Sequence, residues 1–338
     1  MEKIFDINYI HRLQSAMEAQ GQPKEEISLC IDYAQVLLSR NLPVLFDAVH
    51  VKKTLRLGTI RQQEYHSFYL HQKGKVREIT APSLALKSMQ RWVLNNILAK
   101  LDVSAYAHGF IKNRSIKTNA TLHMHHDYVL CMDIEDFFPS ISRNTVVRVF
   151  THTGYSKSAA SALADLCCYQ ETLPQGAPTS PYLANIIFYQ IDEQLALLAR
   201  EYGAIYSRYA DDLTFSSNTP LDHLSDTVCT VLRQNEFRVN SQKTKLFLPG
   251  QPKRITGLIV QNGSVRIPRY FKRSLTQEIY YCKKFGVIAH LENSRATRRI
   301  NYREYLYGKA YYIRMIEPEL GEKYLQELDQ KRWPRYYL

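Results

Sequence analysis

The chain has 338 residues, 45% hydrophobic and 22% charged, enough to bury a sizeable core and divide into two or three subdomains. Its net charge of +12 favours a polyanionic partner, while the lack of any apolar run near about 18 residues excludes a membrane-spanning helix. Six cysteines without C-x-x-C spacing argue against a zinc site or disulfide framework and suit a reducing, cytoplasmic setting.

Apolar residues at helical spacing predict three short helices over 8–20, 24–41 and 45–57. In "YHSFYLHQKGKVREITAPS", two β-rich runs flank Lys73-Gly74-Lys75 and predict a hairpin that Pro82 ends. The stretch 84–101 has the period of a long helix. Residues 128–134 form an apolar strand ending on Asp133, after which Pro139 and Ser142 open a helix. Another helix covers 156–169, and "LPQGAPTS" turns into a long one from Pro181 to Glu201. "AIYSRYA" and "LTFSS" are strands joined at Asp211-Asp212. A helix over 221–235, a strand near 244–248 and a strand "RITGLIV" follow, and Asn262-Gly263 suits a type I′ hairpin. The remainder, 269–338, is helical.

The βαββαβ alternation over 128–260 places the chain in the α+β class, with a split-βαβ, ferredoxin-like sheet. From Arg266 onward there are 16 Lys/Arg against 8 Asp/Glu, and 11 of the 24 tyrosines. Cations interleaved with aromatics suit a nucleic-acid surface; a solvated face over a Tyr-rich core is the other reading.

Asp211 and Asp212 stand together at a strand tip. Two carboxylates held close repel unless a proton or cation intervenes. Mg²⁺ is bound by one or two carboxylates plus substrate phosphates. Asp133, at the end of another strand, supplies a third carboxylate. Three aspartates can hold two ions about 3.5–4 Å apart and clamp the attacking and leaving oxygens of a phosphoryl transfer. Taken alone, an Asp-Asp pair reads more readily as a solvated turn.

The neighbouring segments resemble reverse transcriptases, in that family's order over roughly 65–265. "YADD" looks like the catalytic box, "MDIEDFFPSI" (132–141) the first aspartate box, and "LPQGAPTSPYLAN" (173–185) the template- and nucleotide-contacting turn. "KGKVREITAPS" (73–83) is similar to the fingers hairpin, "NSQKTKLF" (240–247) to the lysine-bearing palm box and "ITGLIV" (255–260) to the primer-grip region. The resemblance implies a right-hand polymerase. Its expected parts are an N-terminal helical extension over 1–60, fingers over 61–130 with part of 143–175, a palm over 131–260, and a basic, Tyr-rich helical thumb over 261–338. It implies catalysis by Asp133, Asp211 and Asp212 with two Mg²⁺, for which Mn²⁺ can substitute, and dNTPs as substrates. Lys75 and Arg77 would neutralise the triphosphate. Phe138 would collide with a ribose 2′-OH and so select deoxynucleotides. Gln175 and Gly176 would meet nucleotide and template, Tyr209 would lie under the primer terminus, and Lys243 would donate a proton to pyrophosphate or screen charge. Glu135 and Asp136 read as solvated or structural.

Within that family the chain resembles the bacterial retron type. "NATLH" (119–123) matches its Asn-Ala-x-x-His element, and "ITG" (255–257) is close to its Val-Thr-Gly element, departing by Ile for Val. Asn119 and His123, one helical turn apart, suit joint hydrogen bonding to RNA or to the palm. His125 and His126 read as solvated helix-end residues. The retron resemblance implies a structured noncoding RNA partner and synthesis from a guanosine 2′-OH. Its product would be a single-stranded DNA branched from that RNA, made in anti-phage defence with an effector protein. Arg295, Arg298 and Arg299 are expected to read the RNA. Group II intron-like and diversity-generating reverse transcriptases, RNA-dependent RNA polymerases and a non-catalytic RNA-binding scaffold are the alternatives.

Overall fold

The computed structural model describes residues 2–55, 64–72, 75–293, 301–330 and 333. Three helices open the chain, α1 (Glu2–Ala19), α2 (Lys24–Ser39) and α3 (Ala48–Thr54). The hairpin β1 (Tyr65–Gln72) and β2 (Lys75–Pro82) precedes α4 (Leu84–Asn96), α5 (Ile116–Leu122), β3 (Tyr128–Asp133), α6 (Arg143–His152) and α7 (Lys157–Cys167). Then come α8 (Ser180–Ile187), α9 (Tyr189–Glu201), β4 (Ile205–Tyr209), β5 (Asp212–Ser217), α10 (Leu224–Gln234) and β6 (Lys245–Phe247). The chain continues through β7 (Lys253–Ile255), β8 (Leu258–Gln261), β9 (Ser264–Arg266), α11 (Arg269–Phe285), α12 (Val287–Asn293), α13 (Tyr302–Ile316) and α14 (Pro318–Asp329).

Helix starts follow local chemistry. Asp47, Ser83, Ser115, Ser142 and Ser156 each accept a hydrogen bond from a backbone N–H of the first turn, satisfying a donor that has no partner within the helix. Three expectations need correction. The helix expected over 84–101 ends at Asn96, because Ile97 (φ −121°, ψ −68°) leaves the helical region before a short 3₁₀ turn, Leu98–Lys100. The long helix over 181–201 is two, interrupted at Phe188 (ψ −4°). "RITGLIV" is a hairpin and not one strand, because Thr256 (φ 43°) and Gly257 (φ 84°) fold β8 back on β7. The Asn262-Gly263 turn has the expected positive φ at both residues.

The described chain clusters into two compact units. Residues 1–107, 134–195 and 228–239 form the first. There α7 packs on α3 and α6, and β1 and β2 pair antiparallel over their full length. Phe188 packs edge-on against Phe137 and Phe237, with centroids 5.6 and 5.0 Å away, contacts worth roughly 0.5–1.5 kcal/mol each beyond area burial.

Residues 108–133, 196–227 and 240–338 form the second unit. Its four-stranded antiparallel sheet has the order β4-β5-β3-β6, the ferredoxin-like arrangement expected from the sequence. A core of Val129, Ile255, Leu258, Leu275, Leu306, Ile313 and Leu325 joins that sheet, the β7-β8-β9 sheet and the C-terminal helices. Among the described residues, no helix is long and apolar enough to cross a membrane.

Candidate active site

The aspartate pair sits on a two-residue turn between β4 and β5. Tyr209 pairs with Asp212, leaving Ala210 and Asp211 at the tip. Ala210 has φ +56°, in the left-handed region that glycine normally fills, at a cost of about 1–2 kcal/mol for an L residue. Two neighbours hold it there. Arg208, fully buried, donates from Nη1 to the Ala210 carbonyl at 3.1 Å, and His108 N–H donates to the Arg208 carbonyl at 2.6 Å. Gly109 lies so close that an added Cβ would stand 2.6 Å from Ala210 N.

Register supplies the third carboxylate. Asp133, the last residue of β3, is directly opposite Asp212, which puts their Cβ atoms about 5 Å apart. Burial, then the charges of Asp211 and Asp133, push the Asp212 carboxyl up to about 7, with Lys243 opposing the rise. Asp133 is itself buried and accepts two hydrogen bonds from Lys243 Nζ, at 2.6 and 2.8 Å. Lys243 thus places its ammonium directly against the Asp133 carboxylate. Among the described residues no three Asp, Glu, His or Cys side chains are gathered as a ready metal site. The donor set nevertheless fits a hard divalent cation: all-oxygen ligands, one of them with its pKa raised by burial and then by its neighbouring carboxylates, penalties that a bound cation would offset. Beside the carboxylates opens a cavity of about 440 Å³, walled by Asp133, Asp212, Lys243, Lys245 and Arg254 among others.

Comparison with known proteins fits this geometry. A sequence profile described as reverse transcriptase (RNA-dependent DNA polymerase) matches residues 62–278. The retron Ec86 reverse transcriptase of Escherichia coli is 36% identical over 277 residues, 77% of this chain and 87% of that one. The chain belongs to the retron reverse transcriptases. The retron Mx162 enzyme of Myxococcus xanthus is 33% identical over 76% of this chain and 58% of its own length; the retron Ec73 enzyme of E. coli is 30% identical over 76% and 85%. The chain is accordingly an RNA-directed DNA polymerase of the retron type, in a family that generally uses divalent metal ions.

The remaining expected residues of this reverse transcriptase fall as follows. The first unit carries Lys75 and Arg77 on β2, together with Phe138, Gln175 and Gly176. Phe137 is the core aromatic, whereas Phe138 is half-buried, with its ring 5.5 Å from that of Phe137. Gln175 is exposed. Gly176 lies against β2, where a Cβ would meet the Thr80 carbonyl at 2.4 Å, so only glycine allows this approach. Arg295, Arg298 and Arg299 lie outside the described residues.

Asn119 and His123, expected to bond to RNA or to the palm, are fully buried here and hydrogen-bond to serines of β4 and β5. Sequence reading also missed Arg208, Gly109, Ser207 and Ser216. Arginine inside the apolar run "IYSRYA" was the available signal for the first; the others leave no local trace.

The basic, Tyr-rich C-terminal region divides by face. Tyr302 and Tyr324 are buried, whereas Tyr270, Arg273, Tyr280, Lys283 and Lys284 of α11 are exposed at near-helical spacing. Arg254 Nη2 donates to Tyr270 OH at 3.3 Å, linking the cavity beside the carboxylates to this stripe.

Proposed function

We propose that Asp133, Asp211 and Asp212 are the catalytic carboxylates and hold two Mg²⁺ ions, with Mn²⁺ able to substitute. The observation that carries this is the pairing of Asp133 with Asp212 beside a strained turn whose other residue is Asp211. Bound there, the metal would supply charge neutralisation for the attacking and departing oxygens of nucleotidyl transfer. Asp212 would give up its proton on binding, and Lys243 would be released from Asp133 to meet the leaving pyrophosphate. Lys75, Arg77, Gln175 and Gly176 would bind the dNTP and template, while Phe138 would exclude the ribose 2′-OH.

In this reading residues 1–60 are an N-terminal extension. Residues 61–130 with part of 143–175 are fingers, 131–260 the palm and 261–338 the thumb. The cationic cavity wall and the exposed aromatic and basic stripe of α11 support a nucleic-acid track leading away from the carboxylates. Its occupant would be a structured noncoding RNA from the enzyme's own locus. The product would be a single-stranded DNA branched from a guanosine 2′-OH, made in the cytoplasm for anti-phage defence with an effector protein.

The test is recovery of bound nucleic acid from cells carrying the native locus, beside an Asp211→Asn, Asp212→Asn control. A discrete DNA that shifts on 2′,5′-debranching and vanishes in the control is the expected result. DNA without a branch would overturn 2′-OH priming, and DNA persisting in the control would overturn the carboxylate assignment.

A further inference from the structure

Side chains two apart on a strand share a face, so Asp212, Thr214 and Ser216 line one side of β5, and Tyr209 and Ser207 the same side of β4. The pairing of Ser207 with Thr214 places Ser207 one row from the Tyr209–Asp212 pair on that face, and that of Ile205 with Ser216 places Ser216 two rows from it. α5 lies over those rows, and its His123 reaches both strands at once. Nδ1 stands 2.7 Å from Ser216 Oγ and Nε2 2.7 Å from Ser207 Oγ. Ser207 Oγ donates in turn to Asn119 Oδ1 at 2.7 Å. All four side chains are buried, at 0% exposure.

The protons in this set run one way. Ser207 gives its hydrogen to Asn119, so its oxygen must accept from the imidazole, which puts the ring proton on Nε2. Nδ1 is then the acceptor for the Ser216 hydroxyl. Asn119 thereby selects the tautomer, and the neutral ring becomes a strut between the two strands that the Ala210-Asp211 turn connects.

We propose that His123, oriented by Asn119, is a positioning residue of the polymerase centre. It fixes β4 against β5 beneath the turn, so that Asp211 and Asp212 face one point; it touches neither substrate nor metal. This rests on the assignment of those aspartates as catalytic. Displacing a reacting group by about 1 Å costs on the order of 10²-fold in rate, so a loosened hairpin would be felt in turnover and not in binding.

The experiment measures dNTP incorporation by the full chain on a primed RNA template, for Ser216→Ala, Ser216→Thr, His123→Gln and an Asp212→Asn control. Expected are kcat losses of about 10- to 10²-fold for Ser216→Ala and His123→Gln, with dNTP KM and template affinity within about twofold of wild type. The Mg²⁺ concentration for half-maximal rate rises with them, and Ser216→Thr, which keeps the hydroxyl, recovers most of the loss. Nitrogen-15 NMR of the wild type shows His123 neutral with the proton on Nε2. Should His123→Gln not fold, Ser216→Ala removes one oxygen only and carries the test. Wild-type kcat and Mg²⁺ dependence in a folded Ser216→Ala, or a loss confined to template affinity, would overturn the positioning role. An active Asp212→Asn would instead overturn the catalytic assignment beneath it, leaving the strut itself untouched.

Discussion

Asp212→Asn should make the protein more stable while abolishing polymerisation. The Asp212 carboxyl rises from 3.8 to about 7, mainly through burial and then through Asp211 and Asp133. At about 1.4 kcal/mol per pH unit, ionising it in the folded chain costs up to about 4 kcal/mol. Because the folded-state pKa lies above the unfolded one, the protonated form is the stabilising one. That contribution is complete below about pH 3.8 and is lost as the pH rises through about 7. Asparagine carries no charge to lose. In EDTA, thermal unfolding at pH 8 should show a gain approaching about 4 kcal/mol, roughly 1–2 °C in Tm per kcal/mol for a chain of this size, and less than half of that gain at pH 5. Adding Mg²⁺ should raise the Tm of the wild type and leave that of the variant nearly unmoved. An unchanged or lowered Tm at pH 8, or equal gains at both pH values, would refute the view of Asp212 as a carboxylate whose ionisation is penalised by burial and by its acidic neighbours.

Lys243→Ala removes the cation from Asp133 and the one influence lowering the Asp212 pKa. The alkaline-going rise of kcat/KM with pH, set near 7, should therefore move to higher pH, and raising Mg²⁺ should move it back; a pH profile at two Mg²⁺ concentrations checks both. Gly109→Ala drives a Cβ to 2.6 Å from Ala210 N, a backbone atom that cannot yield cheaply. It should cost about 1–3 kcal/mol in stability and on the order of 10²-fold in kcat, read by urea unfolding and single-nucleotide incorporation. Phe138→Ala should raise the ribonucleotide-to-deoxynucleotide incorporation ratio at least about tenfold, since a steric gate discriminates by the clash it removes. An unaltered ratio would return Phe138 to a packing role.

Much of the chemistry was legible along the chain, because turns, caps and charge clusters are written in consecutive residues. Asp211-Asp212 between two β-prone runs, Asp133 closing a third, and serines at helix entries all declare themselves locally. The βαββαβ alternation pointed to a ferredoxin-like sheet, and the structure supplied its order, β4-β5-β3-β6. "RITGLIV" failed for an equally local reason. Thr256 is β-branched and disfavours positive φ, so the run reads as one strand until the pairing of β7 with β8 overrides that preference.

By itself, then, the sequence determined which residue types were available for metal-dependent polymerisation and which family their spacing resembles. Only the tertiary structure decided what each is to the others. Burial and partnership belong to residues far apart in the chain. Asp133 meets Asp212 through sheet register, and Gly109 is small because a turn a hundred residues later lies against it. Asn119 and His123, which sequence spacing offered to RNA or to the palm, have lost all solvent contact and are held by serines of β4 and β5. A side chain enclosed at 0% exposure has exchanged water for protein partners, and the strands that come to lie within hydrogen-bond reach settle which partners those are.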